Sequence, residues 1–247
     1  MPDAAAFALA LRAVLPPGVK VGQADPSRLH PLAQGERLPG AVPARLAEFS
    51  AGRAAARIAL HNPDQPIPIG PDRAPIWPAG LVGSITHCAG LCLAVVGKSQ
   101  DYQGLGLDAE PDLPLAADLW PTILRGDEHL SDHASALVHF VAKEAAYKAQ
   151  YSISERLFGF QTLRLTFDED RFEAEFAEPI PPFAKGDRLQ GKVLRAGGYL
   201  GAFVAITPKL RGGEFFLQLP EPKAADPPHR HPELQTGADA SEVPRSR

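Results

Sequence analysis

Cysteine is scarce in this chain, with two in 247 residues, Cys88 and Cys92. Both fall in one apolar stretch, at a spacing too short to staple distant parts of a fold, so they read as reduced thiols in a cytoplasmic setting. No run approaches the roughly 20 apolar residues that a membrane span needs. The apolar segment from Ala4 to Leu15 is preceded by Asp3 and interrupted by Arg12, and no basic stretch opens the chain, which argues against a secretion signal. Phe7, Leu11 and Val14 are instead spaced for one face of an amphipathic helix. An excess of positive charge is also missing. The 25 Lys and Arg are outweighed by 29 Asp and Glu, for a net charge of -4. That leaves no basic footprint for nucleic acid, and any basic site must be local.

Other absences exclude particular chemistries. No fixed-period repeat is visible, which removes solenoids and propellers. The GLGLD stretch lacks the full G-x-G-x-x-G pattern and opens no helix, so a dinucleotide fold is not indicated. His129 and His133 stand at i, i+4 with Asp132 between them, a spacing compatible with zinc, but the glutamate of H-E-x-x-H is missing. A metal-dependent hydrolase built on that pair is a rival reading that predicts zinc dependence. His229 and His231 fall in a stretch whose composition predicts disorder, so no metal role is expected of them, and Cys88 and Cys92 read as core thiols.

With 45% hydrophobic residues the chain can bury a full core. PARLAEFSAGRAAARIAL, Pro43 to Leu60, reads as a helix with Ala47, Ala51, Ala54 and Ile58 on its apolar face and its arginines on others. A polar connection precedes it from about Pro16. NPDQPIPIGPDRAPIWP is too rich in proline for helix or central strand. LCLAVVG and GLGLDAE read as strands, and Asp127 to Tyr151 as the longest helix, with Leu130, Leu137, Phe140 and Ala145 inward. TLRLTF and RFEAEF alternate as a hairpin, and strands follow near Leu189 to Leu194 and Tyr199 to Ile206. Beyond Pro220 the composition predicts a disordered tail. Helices and strands alternate irregularly, which predicts an α+β fold.

The chemistry is concentrated in acids. Asp108 and Glu110 alternate onto one face of a strand end, about 7 Å apart along the backbone. If the long helix brings Glu144 to that face, the three carboxylates repel unless a cation neutralises them, and an all-oxygen set suits Mg²⁺. Lys148 shares a helix face with Glu144 at i, i+4, and Lys143 flanks them. Taken alone, the same residues also read as a solvated strand end and a surface ion pair.

WPAGLVGSITHCAG, then GLGLDAEP, then FVAKEAAYKAQY, in this order and spacing, resemble the three signature blocks of the phosphopantetheinyl transferases, in the branch that includes enterobactin synthase component D. The resemblance spans about Arg45 to Tyr151. It departs from the pattern at Val141, where a small polar residue is common, and at Ser152, where proline is usual. It implies a pseudo-twofold monomer of two similar α/β halves, residues 1–103 and 104–219 with the tail at 220–247, and coenzyme A in the cleft between the halves. The implied activity is that of a holo-[acyl-carrier-protein] synthase type enzyme. It moves the 4′-phosphopantetheine group of coenzyme A, its co-substrate, onto a serine of an apo acyl, peptidyl or aryl carrier protein, in siderophore or other secondary-metabolite synthesis. Carried over by position, Asp108, Glu110 and Glu144 hold Mg²⁺, and Glu144 is either the base or only a ligand. Lys148 assists the departing 3′,5′-ADP. His87 with Thr86, Arg45 and Arg53 take the 3′-phosphate end, Arg73 lies near the adenine, and Lys143 and Asp108 contact the cofactor. The alternative is a catalytically silent module that binds coenzyme A or a carrier protein.

Overall fold

The carboxylate of Asp3 accepts from the N–H groups of Ala5 and Ala6, both at 3.0 Å, and so caps helix α1 (Ala4–Val14). The computed structural model describes residues 2–131 and 135–208. Helix α2 (Pro43–Leu60) starts with proline in its first turn and stops where His61 turns left-handed at φ 53°. Strand β1 (Lys20–Gln23) lies inside the connection expected to be irregular, and β2 (Leu81–Cys88) precedes the expected β3 (Leu91–Lys98) and β4 (Gly104–Pro111). The expected long helix is shorter at its start: α4 (Ala136–Ser154) begins after Ser135, whose hydroxyl accepts from Val138 N–H. Among the described residues upstream lie a 3₁₀ helix (Ala117–Leu119), a short helix α3 (Trp120–Ile123) and turns, and Leu130 is exposed there, not in an inward stripe. Strands β5 (Leu163–Asp168), β6 (Arg171–Phe176), β7 (Arg188–Ala196) and β8 (Tyr199–Ile206) are the last elements among the described residues, as expected. The tail proposed beyond Pro220 lies outside the described residues. Among those described, no helix is long and apolar enough to cross a membrane.

Two antiparallel sheets result, ordered β1-β3-β2 and β4-β8-β7-β6-β5. A strand, a helix and a hairpin whose last strand pairs with the first occur twice, as β1-α2-β2-β3 and as β4-α4-β7-β8, with β5-β6 added at the outer edge of the second. Side chains join the sheets where β2 meets β4: Leu107 N–H donates to Ser84 Oγ at 3.0 Å and Ala109 N–H to Thr86 Oγ1 at 3.3 Å. Phe7 and Leu11 of α1 pack with Leu91, Leu93, Leu107 and Phe203 in one cluster drawn from both sheets. Six such buried side chains contribute on the order of 10 kcal/mol before chain entropy is subtracted.

The helices come unusually close to the sheets. A β-carbon at Gly106 would lie 1.8 Å from Ala145 O, and one at Gly22 would lie 2.0 Å from Ala55 O. Only glycine fits such an approach, and alanines face it from the helix side. This explains why the buried face of α2 is not the expected one: Ala51, Ala55 and Ala59 turn inward, while Ile58 is half exposed. It also fixes the height of α4 over β4, so that the strand end just past Gly106 lies under the helix face that carries Glu144 and Lys148.

Candidate active site

Asp108, at 5% exposure, is the centre of the acidic group. Its Oδ1 accepts from Lys148 Nζ at 2.6 Å and from Thr86 Oγ1 at 3.0 Å, and Lys148 also donates to Leu107 O at 3.1 Å. Asp108 Oδ2 is buried without a hydrogen-bond partner among the described residues. Glu110 lies further along β4, and Glu144 one turn before Lys148. Burial, then the charge of Asp108 and more weakly that of Glu144, pushes the Glu110 carboxyl up to about 7, against the opposing pull of Lys148. Glu144 is also raised, by burial first, with Lys148 opposing and Asp108 adding to the shift. The three acids expected to converge therefore sense one another, with one ammonium among them.

As placed, no three ligating side chains among the described residues stand close enough to hold a metal ion. The donor set nevertheless fits one. Among the described residues a buried oxygen of Asp108 lacks a partner, and Glu110 and Glu144 both feel the charges of Asp108 and Lys148. A hard divalent ion with oxygen ligands answers both conditions.

The basic side of the site faces this group from α2 and β2. Arg45 Nη1 donates to His87 Nε2 at 2.7 Å and to Glu48 Oε2 at 2.9 Å. A guanidinium can only donate, so Nε2 is the imidazole's bare nitrogen, and the Nδ1 proton lies on the side of Glu48 Oε2, at 3.7 Å. Burial is the first cause that lowers the His87 pKa, and Arg45 and Lys148 add to it while Glu48 and Asp108 oppose it, so the charges of both groups reach this ring. Glu48 was not anticipated, although its i, i+3 spacing from Arg45 was a readable signal.

Arg53, read as lying off the apolar face of α2 and assigned to the 3′-phosphate end by the resemblance, is 6% exposed. Its Nε donates to Ile67 O at 3.0 Å, its guanidinium lies 4.0 Å over the Phe49 ring, and its Nη2 is buried without a partner. Desolvation brings its pKa down to about 10, with a smaller push from Arg45 and an opposing pull from Glu36. Arg57 is drawn in as well, donating to both carboxylate oxygens of Glu36 at 2.7 and 2.8 Å. Glu36 also accepts from Ala33 and Ile67 N–H groups, so it gathers two loops onto α2.

Some expected contacts are placed otherwise. Lys143 points away from the acids: at 1% exposure its ammonium donates to Glu128 Oε2 and Ile123 O, both at 2.7 Å. Glu128 also accepts from Arg125 and Leu165 N–H groups, which holds the α3 segment against α4 and β5. Thr86 is turned inward, where it supports Asp108. Arg73 is exposed on the loop before β2, and its guanidinium has no hydrogen-bond partner among the described residues. His129 lies outside any helix and His133 outside the described residues, so the helical spacing needed for the zinc reading is not met at His129. Cys88 and Cys92 are free thiols, each pushed up to about 12, chiefly by burial.

Comparison with known proteins agrees with this geometry. A family model described as the 4′-phosphopantetheinyl transferase N-terminal domain matches residues 34–97, a span that holds Arg45, Arg53, Arg73, Thr86 and His87. The chain is 38% identical over 157 residues to the 4′-phosphopantetheinyl transferase PptT of Mycobacterium tuberculosis, covering 59% of this chain and 69% of that protein. It is 33% identical over 171 residues to the 4′-phosphopantetheinyl transferase Npt of Nocardia iowensis, covering 64% and 77%. With enterobactin synthase component D of Salmonella typhi it shares 39% over 142 residues, covering 53% and 58%. Because the matches to PptT and Npt extend over more than two thirds of each relative, the chain belongs to the 4′-phosphopantetheinyl transferase family.

Proposed function

We propose that coenzyme A binds with its 3′-phosphate toward Arg45, Arg53 and His87 and its pyrophosphate toward Lys148 and the acids of β4 and α4. The chain transfers the 4′-phosphopantetheine group to a serine of an apo carrier protein and releases 3′,5′-ADP. The observation that carries this orientation is a pair of buried orphans of opposite polarity, the donor Arg53 Nη2 and the acceptor Asp108 Oδ2. An anion would satisfy the first and a cation the second. A 3′-phosphate and a metal-bound pyrophosphate supply these at the two ends of one ligand.

Asp108, Glu110 and Glu144 are the residues that would hold Mg²⁺. When bound there, the ion supplies charge neutralisation and polarisation of the pyrophosphate. The chain's own residues do the rest. Lys148 brings a positive charge to the phosphate that leaves with 3′,5′-ADP. In the transfer a bond forms between the carrier serine Oγ and the β-phosphorus, and the bond from that phosphorus to the bridging oxygen breaks. Glu144, whose carboxylate accepts no hydrogen bond among the described residues, is placed to take the serine proton. The recess beside it, of about 80 Å³ and lined by Tyr147, Phe158, Phe160 and Leu163 together with Lys143 and Glu144, offers an apolar wall for part of the pantetheine arm to lie against.

The recurrence of strand, helix and hairpin supports a pseudo-twofold arrangement of halves at 1–103 and 104–219, with coenzyme A in the cleft between them. Lys143 is reassigned from cofactor contact to support of α4, and Thr86 to support of Asp108. Service in siderophore or other secondary-metabolite synthesis, by a cytoplasmic monomer, follows the likeness to the enterobactin branch. A silent binding module would need the arginines but not the gathered acids and Lys148.

Incubated with coenzyme A, Mg²⁺ and apo carrier proteins from several pathways, the chain will raise the mass of at least one carrier by a single phosphopantetheine. The same carrier with its serine replaced by alanine will stay unmodified. If every carrier keeps its apo mass while coenzyme A binds, the silent-module reading takes over.

A further inference from the structure

Asp72 stands in the loop that leads from α2 to β2, and its carboxylate serves two hydrogen bonds of different reach. Oδ1 accepts from Ala74 N–H at 3.0 Å, inside the loop. Oδ2 accepts from the phenol of Tyr151 on α4, 79 positions away in the chain. The loop tip is closed on itself, with Gly70 N–H donating to Ala74 O at 2.8 Å and Arg73 N–H to Gly70 O at 3.0 Å. A β-carbon at Gly70 would lie 2.6 Å from Asp72 Oδ1, so glycine there is a condition of the carboxylate's position. Arg73 comes next, held left-handed at φ 72°.

Tyr151 lies one turn past Lys148 and two past Glu144, so the three share a face of α4. Tyr147 lies between them, its ring centroid 6.1 Å from that of Tyr151, and it lines the recess with Glu144. Burial first, then the charges of Glu144 and Asp72, raise the Tyr147 phenol, so the acid of the loop and the acid of the helix are felt at one ring. The bond to Asp72 is also the main reason the Tyr151 phenol is pushed up to about 12 and the Asp72 carboxyl held low.

We infer that the Asp72–Tyr151 hydrogen bond is a positioning tie: it fixes the loop carrying Arg73 against the helix carrying Glu144 and Lys148, and so sets the span between the nucleotide end and the reacting end of one coenzyme A molecule. The inference rests on the coenzyme A reading above. Tyr151 and Asp72 act through the loop rather than on the substrate. Without the tie the loop must be ordered during binding, so the loss falls on coenzyme A affinity and not on the transfer step.

The test compares the full chain with Tyr151→Phe, Asp72→Asn and the double variant, measuring carrier modification at varied coenzyme A. Each single change should raise KM for coenzyme A roughly three- to tenfold, the effect of one lost hydrogen bond, with kcat within about twofold. The double variant should be no worse than either single, because both changes remove the same bond. Melting temperatures measured alongside should stay within roughly 2 °C of the native chain. An unchanged KM, additive effects in the double variant, or a fall in kcat at constant KM would overturn the tie while leaving the coenzyme A reading intact. Failure of the native chain to bind coenzyme A by calorimetry would overturn that reading, and the tie with it.

Discussion

Glu144→Gln is expected to transfer phosphopantetheine at least a hundredfold more slowly than the native chain while melting at a higher temperature. The two effects have one origin. Gln keeps the shape of the side chain but removes a desolvated negative charge that Asp108 repels. For turnover the loss is that of an electrostatic group acting in the transition state, commonly about 2.7 to 4 kcal/mol. For stability the change is a gain on the order of 1 kcal/mol, as when a charge kept for activity is neutralised. The sign with pH can be worked out. The folded pKa of Glu144 is raised, so folding favours its protonated form: the destabilisation sets in as pH rises past the ordinary glutamate value and is complete above the folded pKa. The melting advantage of the Gln variant should therefore fade as pH falls toward the ordinary glutamate range. Thermal melts in chelator across pH, together with carrier modification at saturating coenzyme A, check both halves. A folded variant that keeps turnover within threefold would remove Glu144 from the chemistry.

Lys148→Ala should lower turnover by a similar factor, but with the opposite effect on stability. Lys148 is the cation that Asp108 Oδ1 meets at 2.6 Å, with side-chain exposures of 27% for the lysine and 7% for the aspartate. Removing it leaves a buried carboxylate with only the Thr86 hydroxyl as donor. Breaking a fully buried pair costs about 3 to 5 kcal/mol, and the partial exposure of Lys148 brings the expectation down to roughly 1 to 3 kcal/mol. For a chain of this size that is a melting temperature lower by roughly 3 to 10 °C. Adding Asp108→Asn to Lys148→Ala should restore much of the stability, because the stranded charge is gone, and none of the turnover. A single variant as stable as the native chain would mean that the ion pair does not hold β4 to α4. Turnover within threefold would mean that Lys148 does not act on the leaving group.

Much of this architecture could be read from local rules, and the exceptions share a cause. Helix α2 was legible end to end because Pro43 suits a first turn and the alanine-rich stretch carries helical composition past the single Gly52 to Leu60. The β5-β6 hairpin was legible from strict alternation. The start of α4 was not. Asp127 to Leu130 have helical composition, but Glu128 is recruited by Lys143 and by the Leu165 N–H, and this tertiary demand overrides propensity. The burial of Arg53 and Arg57 could not be read, because their partners, Ile67 O and Glu36, lie 14 and 21 positions away. In the proposed site, Asp108, Glu110, Glu144, Lys148 and His87 were singled out through the three ordered blocks, and Arg45 through the wider resemblance. The inward turn of Lys143 could not be read, since adjacent helix residues point in different directions and only packing decides which faces the cleft. The Asp72–Tyr151 contact left no local signal at all.

Asp108, Glu110 and Glu144 are proposed to act on coenzyme A as a metal-holding group, and metal withdrawal tests this most directly. Chain, coenzyme A and apo carrier would be freed of divalent ions with a chelator, and the carrier mass followed before and after magnesium is returned. Modification should stop in the chelator and resume with magnesium, because one ammonium cannot balance three carboxylates and a pyrophosphate. Transfer at the same rate with every divalent ion chelated would contradict the account.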